Sequence, residues 1–294
     1  MQPGPSSSLS DNPNPDTTTR AGMPSSLTIG VLALQGAFAE HITLLQRAAS
    51  TLTQQKQSSS LLHGTTLNFI EVRTPQELSL CSALVLPGGE STAISLIASR
   101  CGLLEPLREF VKVQRKPVWG TCAGLILLAE SANRTKASGQ ELLGGLDVRV
   151  QRNYFGRQVE SFEAALKLSF LEGQEPFHSV FIRAPVVEKV LDADELAELS
   201  LSSSSSLPDD GGVVTAPAKS PTKAPVEILG RLPGRARALR DKTATAEQLG
   251  EDGDIVAVRQ GNVFGTAFHP ELTGDERIHA WWIGEVVKAA RGEA

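Results

Sequence analysis

The sequence has few cysteines and few aromatic residues, no long apolar run and no strong excess of charge of either sign. Three cysteines are too few, and odd in number, for a disulfide framework, which favours a reducing compartment. No run approaches the roughly 18 apolar residues of a membrane span, and the first 24 residues lack the apolar segment of a secretory signal. The net charge of −5 gives no electrostatic reason to expect nucleic acid or a membrane surface as a partner. We therefore predict a soluble cytoplasmic protein.

The first half of the chain alternates apolar runs with segments of helical periodicity. Strands buried on both faces are predicted at LTIGVLALQ (27–35), LNFIEV (67–72), ALVLPGG (83–89) and PVWG (117–120). Helices are predicted over 38–49, 91–99, 104–113 and 124–131. This alternation, with a hydrophobic content of 40%, predicts an α/β protein whose parallel sheet carries helices on both faces.

The second half of the chain contains more strand and less helix. Strands are predicted at DVRVQRN (147–153), SFEAALKL (161–168) and SVFIRAP (179–185), as an antiparallel extension of the same sheet. Later strands are predicted at VEIL (226–229), DIVAVRQ (254–260) and NVFGTAF (262–268), and a helix over 275–290.

Three segments have compositions that do not support a core. Residues 1–24 are rich in Pro, Ser, Thr and Asn and are predicted to form a disordered tail. Residues 191–224 include five consecutive serines and are predicted to form a low-complexity insertion without structure. Residues 231–252 are predicted to form a second, partly helical insertion. The rest of 25–294 then has the size of a single domain.

The sharpest local signal is the segment Gly120-Thr121-Cys122-Ala123-Gly124, between a short strand and a helix. This pattern is typical of the strand-to-helix elbow that presents a nucleophile at the carboxyl edge of a sheet. Glycines fit the flanks because neighbouring elements approach closely there, and the N-terminus of a helix favours a thiolate at Cys122. Taken alone, the pattern fits an inert buried cysteine equally well.

A thiol nucleophile needs a base, and one of the five histidines has an obvious orienting group. Glu271 follows His269 by two residues, so in an extended segment both side chains project to the same side. Glu271 then holds the imidazole while His269 transfers protons to and from the nucleophile. A surface turn explains these two residues better when they are considered alone, but less well once they are joined to the cysteine elbow. The histidines lack zinc-ligand spacing with cysteine, so we predict no metal site.

Acyl transfer also requires hydrogen-bond donors for an oxyanion. The backbone N–H of Ala123 directly follows the nucleophile. A second source is the glycine pair of LPGGEST (86–92), where Gly89 follows a strand predicted to end at the same edge of the sheet. A Gly-Gly turn is common in proteins, so it indicates an oxyanion donor only because it is predicted to lie at the same edge of the sheet as Cys122.

Several longer motifs occur in an order that resembles one enzyme family. They are LQGAFAEH (34–41), LPGGEST (86–92), GTCAGLILLA (120–129), RNYFGRQVESFEA (152–164), VFIRAP (180–185) and FHPELT (268–273). The chain is similar to the glutaminase subunits of pyridoxal 5′-phosphate synthase, within the class I glutamine amidotransferases. The match covers about 27–190 and 254–284. It implies a three-layer, flavodoxin-like open sheet.

The resemblance also implies roles for individual residues. Cys122 corresponds to the nucleophile, His269 to the general base and acid, and Glu271 to the orienting carboxylate. The residues implied to bind glutamine are Gly88, Gly89, Glu90, Arg152, Ile182 and Arg183. Gln35 and Gly36 correspond to the segment that faces a separate (β/α)8-barrel synthase subunit and helps to order the oxyanion site.

The activity implied is hydrolysis of L-glutamine to L-glutamate and ammonia through a Cys122 thioester, without a cofactor. The ammonia passes to the synthase subunit, which makes pyridoxal 5′-phosphate. Two alternatives stay open. One is a glutaminase that serves another ammonia acceptor, which the RN-x-FGRQ and FIRAP motifs disfavour. The other is a catalytically silent interaction subunit, which the presence of all three triad residues disfavours.

Overall fold

The computed structural model describes residues 26–54, 62, 64–133, 140–154, 161–171, 173–202, 212–217, 224–233 and 253–293. The predicted N-terminal tail, most of the second insertion and residues 155–158 of the RN-x-FGRQ motif lie outside these ranges.

The described strands form one large mixed sheet and one small sheet. The strands are β1 (Ser26–Leu32), β2 (Thr66–Val72), β3 (Ala83–Leu86), β4 (Val118–Thr121), β5 (Ala129–Asn133), β6 (Leu146–Gln151), β7 (Ser161–Leu166), β8 (Phe177–Ile182), β9 (Val186–Val190), β10 (Val213–Thr215), β11 (Glu227–Leu232), β12 (Asp254–Gln260) and β13 (Val263–Thr266). The large sheet has the order β10-β5-β6-β9-β12-β13-β4-β3-β1-β2, and β11 pairs with β12.

Five neighbouring strands of the large sheet, β2, β1, β3, β4 and β13, are parallel. Strands β3, β4 and β13 are buried along their whole length, as their continuous apolar runs predict. In a parallel sheet the carboxyl ends of the strands share one edge, and ligands bind at that edge. The loops after these three strands are therefore brought together by the topology.

Seven α-helices cover both faces of the sheet. They are α1 (Phe38–Gln54), α2 (Pro75–Ser79), α3 (Ser91–Arg100), α4 (Leu104–Arg108), α5 (Ala123–Leu128), α6 (Ala193–Ser202) and α7 (Arg277–Ala290), in the described part of the chain. Helices α1 and α7 pack together in one layer, and α3 packs against α4 and α5 in another. The predicted three-layer α/β fold with a mostly parallel sheet is confirmed. No helix among the described residues is long and apolar enough to cross a membrane.

The predicted helix over 124–131 is wrong at its end. Helix α5 stops at Leu128, and Ala129 adopts extended backbone and begins strand β5, which pairs in parallel with β6. The residues of this segment are buried on every side. A short apolar run without a polar face has no periodicity to separate a helix from a strand, so the sequence did not reveal the change.

The predicted extension of the large sheet by SFEAALKL and SVFIRAP is also wrong. Strands β7 and β8 pair with each other as a separate two-stranded antiparallel sheet. Both alternate between buried and exposed residues, as expected for a hairpin that packs by one face. The position next to β6 is taken instead by β9, which lies between β6 and β12.

The segment predicted to lack structure over 191–224 contains two regular elements. Helix α6 begins at Ala193, and Asp192 Oδ1 accepts a hydrogen bond from the backbone N–H of Glu195, 2.9 Å away. Strand β10 pairs with β5 at the edge of the large sheet. The acidic first turn of α6 matches the helix dipole, a signal that the serine run obscured.

Candidate active site

Cys122 lies in a strained turn between β4 and α5. Its backbone has φ +47° and ψ −99°, a conformation that residues other than glycine rarely adopt. The backbone N–H of Cys122 donates to the carbonyl of Thr266 on β13, at 2.8 Å. A Cβ added to Gly120 would come within 2.4 Å of the backbone of Gly124, so this turn requires glycine. The predicted elbow is therefore present, and it presents a sulfur at the carboxyl edge of the sheet.

The sequence placed His269 and Glu271 in an extended segment, whereas Pro270–Leu272 forms a turn of 3₁₀ helix. The turn nevertheless brings the two side chains together, and His269 Nδ1 lies 2.8 Å from Glu271 Oε1. Strand β13 runs parallel to β4, with Thr266 in register with Thr121. His269 therefore follows its strand next to the cysteine elbow.

The electrostatics of the site favour the charged forms of His269 and Glu271. Burial disfavours protonation of His269, but its interactions with Cys122 and Glu271 outweigh burial and raise the pKa of His269 to about 10. Burial also disfavours ionisation of Glu271, yet His41 and His269 hold the pKa of that carboxyl below its ordinary value. An imidazolium and a carboxylate can thus lie side by side next to the Cys122 sulfur, which suits nucleophilic attack followed by proton transfer.

The LPGGEST loop lies directly against the histidine. A Cβ added to Gly88 would come within 2.3 Å of His269 Cε1, so any larger residue here would displace the ring. Glu90 is the N-cap of α3 and accepts hydrogen bonds from the backbone N–H groups of Thr92 and Ala93, at 3.1 and 2.8 Å. The loop is therefore held beside His269 at one end and by the cap of α3 at the other.

Gln35 and Gly36 pack against the same loop from the end of the first strand. Gln35 Oε1 accepts a hydrogen bond from the backbone N–H of Glu90, at 2.8 Å. Gly36 has φ +97°, and a Cβ added to it would lie 1.7 Å from the carbonyl oxygen of Gly88. The conformation of the loop around Gly89 thus depends on the segment that precedes α1.

Arg152 is a buried cation at the end of β6. Its Nη2 donates to Thr92 Oγ1 at 3.2 Å and lies 3.7 Å from Glu90 Oε1. Burial lowers the pKa of Arg152, and the Glu90 carboxylate opposes that shift. A guanidinium held beside the glycine loop in this way is suited to receive a carboxylate of a small ligand.

Ile182 and Arg183 lie where β8 passes the elbow. The carbonyl oxygen of Ile182 is 3.9 Å from Cys122 Sγ. The carbonyl of Val180 accepts a hydrogen bond from the backbone N–H of His269, at 2.8 Å. Arg183 has φ +45° and is exposed. The small sheet therefore forms one wall of the site.

Sequence reasoning missed a further group of buried residues behind the triad. His41 Nε2 lies 3.3 Å from Glu271 Oε2, and His41 Nδ1 lies 3.0 Å from His279 Nε2. Gln140 Oε1 accepts a hydrogen bond from Ser91 Oγ at 3.0 Å, next to Arg152 and Thr92. The position of His41 at the end of the LQGAFAEH motif was the one signal for it, since Glu271 and His279 lie more than two hundred residues away and Thr121 lies 80 residues away.

Known proteins that resemble this chain share one description. The sequence profile of the SNO glutamine amidotransferase family matches residues 31–220 and 227–288. The chain belongs to the SNO glutamine amidotransferase family. The cysteine elbow, His269, Glu271 and the LPGGEST loop all lie within the matched residues.

Curated relatives and a solved structure agree with this membership. Pyridoxal 5′-phosphate synthase subunit PdxT of Herpetosiphon aurantiacus is 38% identical over 88% of this chain and 100% of its own length. The probable pyridoxal 5′-phosphate synthase subunit PDX2 of Arabidopsis thaliana is 40% identical over 87% of this chain and 85% of its own length. A crystal structure of a glutamine amidotransferase superposes with a TM-score of 0.57 at 33% identity, covering 88% of this chain and 98% of that one.

Proposed function

We propose that this protein hydrolyses L-glutamine to L-glutamate and ammonia and supplies the ammonia to a pyridoxal 5′-phosphate synthase. The observation that carries the proposal is the convergence of Cys122, His269 and Glu271 at one edge of the sheet, in a chain of the SNO family. Cys122 acts as the nucleophile, His269 as the general acid and base, and Glu271 as the carboxylate that orients His269.

Glutamine and water supply every atom of the two products, glutamate and ammonia. The Cys122 thiolate attacks the side-chain amide carbon, and the N–H groups of Ala123 and Gly89 stabilise the resulting oxyanion. The His269 imidazolium gives its proton to the amide nitrogen, ammonia leaves, and a thioester remains. His269 then takes a proton from water, and the hydroxide breaks the thioester to release glutamate and restore Cys122.

Glutamine recognition falls to the residues around the elbow. The proposed contacts are Gly88, Gly89, Glu90, Arg152, Ile182 and Arg183. Arg152 is the partner for the α-carboxylate because its guanidinium is buried beside the loop. The Glu90 carboxylate caps α3 but its side chain is 47% exposed, so it can also receive the α-ammonium group.

Replacing Arg152 by methionine is expected to raise the KM for glutamine by about 10- to 100-fold and to leave kcat within about threefold. Methionine keeps much of the stem and removes the charge that binds the α-carboxylate. Steady-state kinetics over a range of glutamine concentrations measure the effect. Arg100→Met is the matched control, because Arg100 is exposed at the far end of α3. An unchanged KM in Arg152→Met would remove Arg152 from substrate binding.

The partner we propose is a separate (β/α)8-barrel synthase subunit. Relatives of this chain bear the name of pyridoxal 5′-phosphate synthase subunits. Gln35 and Gly36, which precede α1, hold the loop that carries Gly88 and Gly89. A partner that binds this segment would therefore set the conformation of the LPGGEST loop, which carries the proposed oxyanion donor Gly89 and is called the oxyanion loop below.

Glutaminase activity is expected to rise on the order of 10²-fold when the synthase subunit of the same source is added, because one ordered oxyanion donor is worth that much. A coupled assay of glutamate release, with and without the synthase, measures the rise. The Cys122→Ala protein with the synthase serves as the blank. Full activity of the isolated chain, unchanged by the synthase, would contradict the coupling but not the hydrolysis.

We also propose that the protein works in the cytoplasm. Cys81, Cys101 and Cys122 are all free thiols. A nucleophilic thiol and two further unpaired cysteines suit a reducing compartment.

A further inference from the structure

A buried pair of histidines lies behind the proposed triad. His41 on α1 and His279 on α7 are both fully buried, and their rings are joined by the 3.0 Å contact between Nδ1 and Nε2. Trp119 packs edge-on against both rings, with centroid distances of 5.4 and 4.9 Å. This packing fixes the plane of each imidazole, so the directions of its two nitrogens are fixed as well.

The other nitrogen of His41 faces the triad. His41 Nε2 forms a hydrogen bond with Thr121 Oγ1 at 3.2 Å, and Thr121 directly precedes the nucleophile. The same nitrogen lies 3.3 Å from Glu271 Oε2. That oxygen is buried and has no hydrogen-bond partner among the described residues, since Glu271 meets His269 through Oε1. A buried carboxylate oxygen without a donor is costly, and His41 is placed to supply one.

Two proton arrangements are possible for the pair, and one is clearly better. If His41 carries its proton on Nε2, it faces Glu271 with an N–H, and His279 Nε2–H donates to His41 Nδ1. If the protons are reversed, a lone pair of His41 faces the carboxylate, and His279 Nδ1–H is buried with no acceptor among the described residues. Unpaired buried N–H groups are rarer than unpaired acceptors. The first arrangement is therefore favoured.

We propose that His41 is a positioning residue that holds the Glu271 carboxylate, and through it His269, by an N–H at Nε2 shared with Thr121. The inference rests on the proposed glutaminase function. The residue acts as a neutral imidazole, since its role is to donate one proton and to accept another from His279. Burial lowers the pKa of His41, and burial and His41 hold the pKa of His279 well below its ordinary value, which agrees with two neutral rings.

The titratable groups that face His41 come from three elements. They are Glu271 and His269 in the turn after β13, Glu40 on α1, and His279 on α7. An N–H donated to a carboxylate favours its ionised form over the neutral acid. Loss of the His41 N–H is therefore expected to raise the pKa of Glu271 and to move the acid limb of the kcat profile to higher pH.

Two amide variants of His41 distinguish the loss of the Nε2 hydrogen bond from the loss of side-chain volume. The amide of His41→Gln reaches the position of Nε2, whereas the amide of His41→Asn reaches that of Nδ1. With the synthase present, His41→Asn is expected to lower kcat by about 10- to 100-fold at unchanged KM, as loss of an orienting group does. His41→Gln is expected to keep kcat within about threefold and to keep the wild-type acid limb. His178→Gln is the control, because the side chain of His178 is 55% exposed on β8.

A measurement on the wild-type protein decides the point without activity. In protein labelled with ¹⁵N-histidine, NMR is expected to show His41 neutral near pH 7, with its proton on Nε2. A proton on Nδ1, or equal kcat and equal acid limbs for the Asn and Gln variants, would overturn the role of His41. If the wild type is no faster than the Cys122→Ala blank, the proposed glutaminase function fails instead, and the NMR result still decides the inference.

Discussion

Replacing Cys122 by alanine is expected to lower glutamine hydrolysis by about 10⁴-fold or more, because removal of a covalent nucleophile has effects of that size. The two other cysteines cannot substitute for it. Burial raises the pKa of the Cys81 thiol to about 11, so it stays protonated at neutral pH. Cys101 lies at the end of α3, away from the elbow. The assay measures glutamate release in the presence of the synthase subunit.

The matched control for this variant is Cys101→Ala, which removes an exposed thiol by the same change. It is expected to behave as the wild type. Cys122→Ala is expected to keep its fold and its binding to the synthase, since the change leaves Gln35 and Gly36, the proposed partner-facing residues, unaltered. Hydrolysis by Cys122→Ala at the wild-type rate would remove Cys122 from the mechanism.

The parallel block of the sheet could be predicted because its signal is local. Strands β1, β3 and β4 are apolar on both faces, and helices with a polar face separate them. The failures occurred where local sequence is ambiguous. The segment after Gly124 is buried on all sides, so its change from helix to strand leaves no periodic trace. Strand β9 lies beside β6, and β7 pairs with β8 in a separate sheet; which strands become neighbours is a tertiary property that local sequence does not encode.

The candidate site could be predicted at the residues whose local motif indicates a chemical role. Cys122 has its elbow, and His269 has Glu271 two residues later. No comparable motif identifies the partners of His41, because they lie on β4, on α7 and in the turn after β13. The spacing of residues along the sequence cannot identify a residue that acts on the triad through another group. The packing of three separate elements determines which residues are its neighbours.

The segment from Gln35 to His41 contacts both the loop that carries Gly89 and the carboxylate of Glu271. Gln35 binds the backbone N–H of Glu90 in the oxyanion loop, and His41, on the first turns of the following helix, faces Glu271. A shift of α1 would therefore reach the loop and the triad together. If the proposed synthase binds at Gln35 and Gly36, its binding would therefore affect the loop and Glu271 at once.

Replacing Glu271 by glutamine is expected to lower kcat on the order of 10⁴-fold, as the corresponding loss does in other nucleophile–histidine–carboxylate triads, with little change in KM. Glu271 has a hydrogen-bonding or ion-pair contact to an imidazole nitrogen at each oxygen, at 2.8 Å to His269 and 3.3 Å to His41. An amide has an acceptor on one side only, so its NH₂ group faces an N–H whichever way it is turned.

The pH profile of Glu271→Gln distinguishes an electrostatic effect from a general loss of structure. Glu271 is one of the groups that raise the pKa of His269 to about 10, against burial. Without that charge the pKa of His269 falls, so the imidazolium that protonates the leaving ammonia is lost at lower pH. The alkaline limb of kcat is therefore expected to move toward neutral pH. Glu276→Gln, the same change at a half-buried residue paired with Arg47, is expected to alter neither kcat nor its alkaline limb. An unmoved limb in Glu271→Gln would show that this carboxylate does not set the charge of His269.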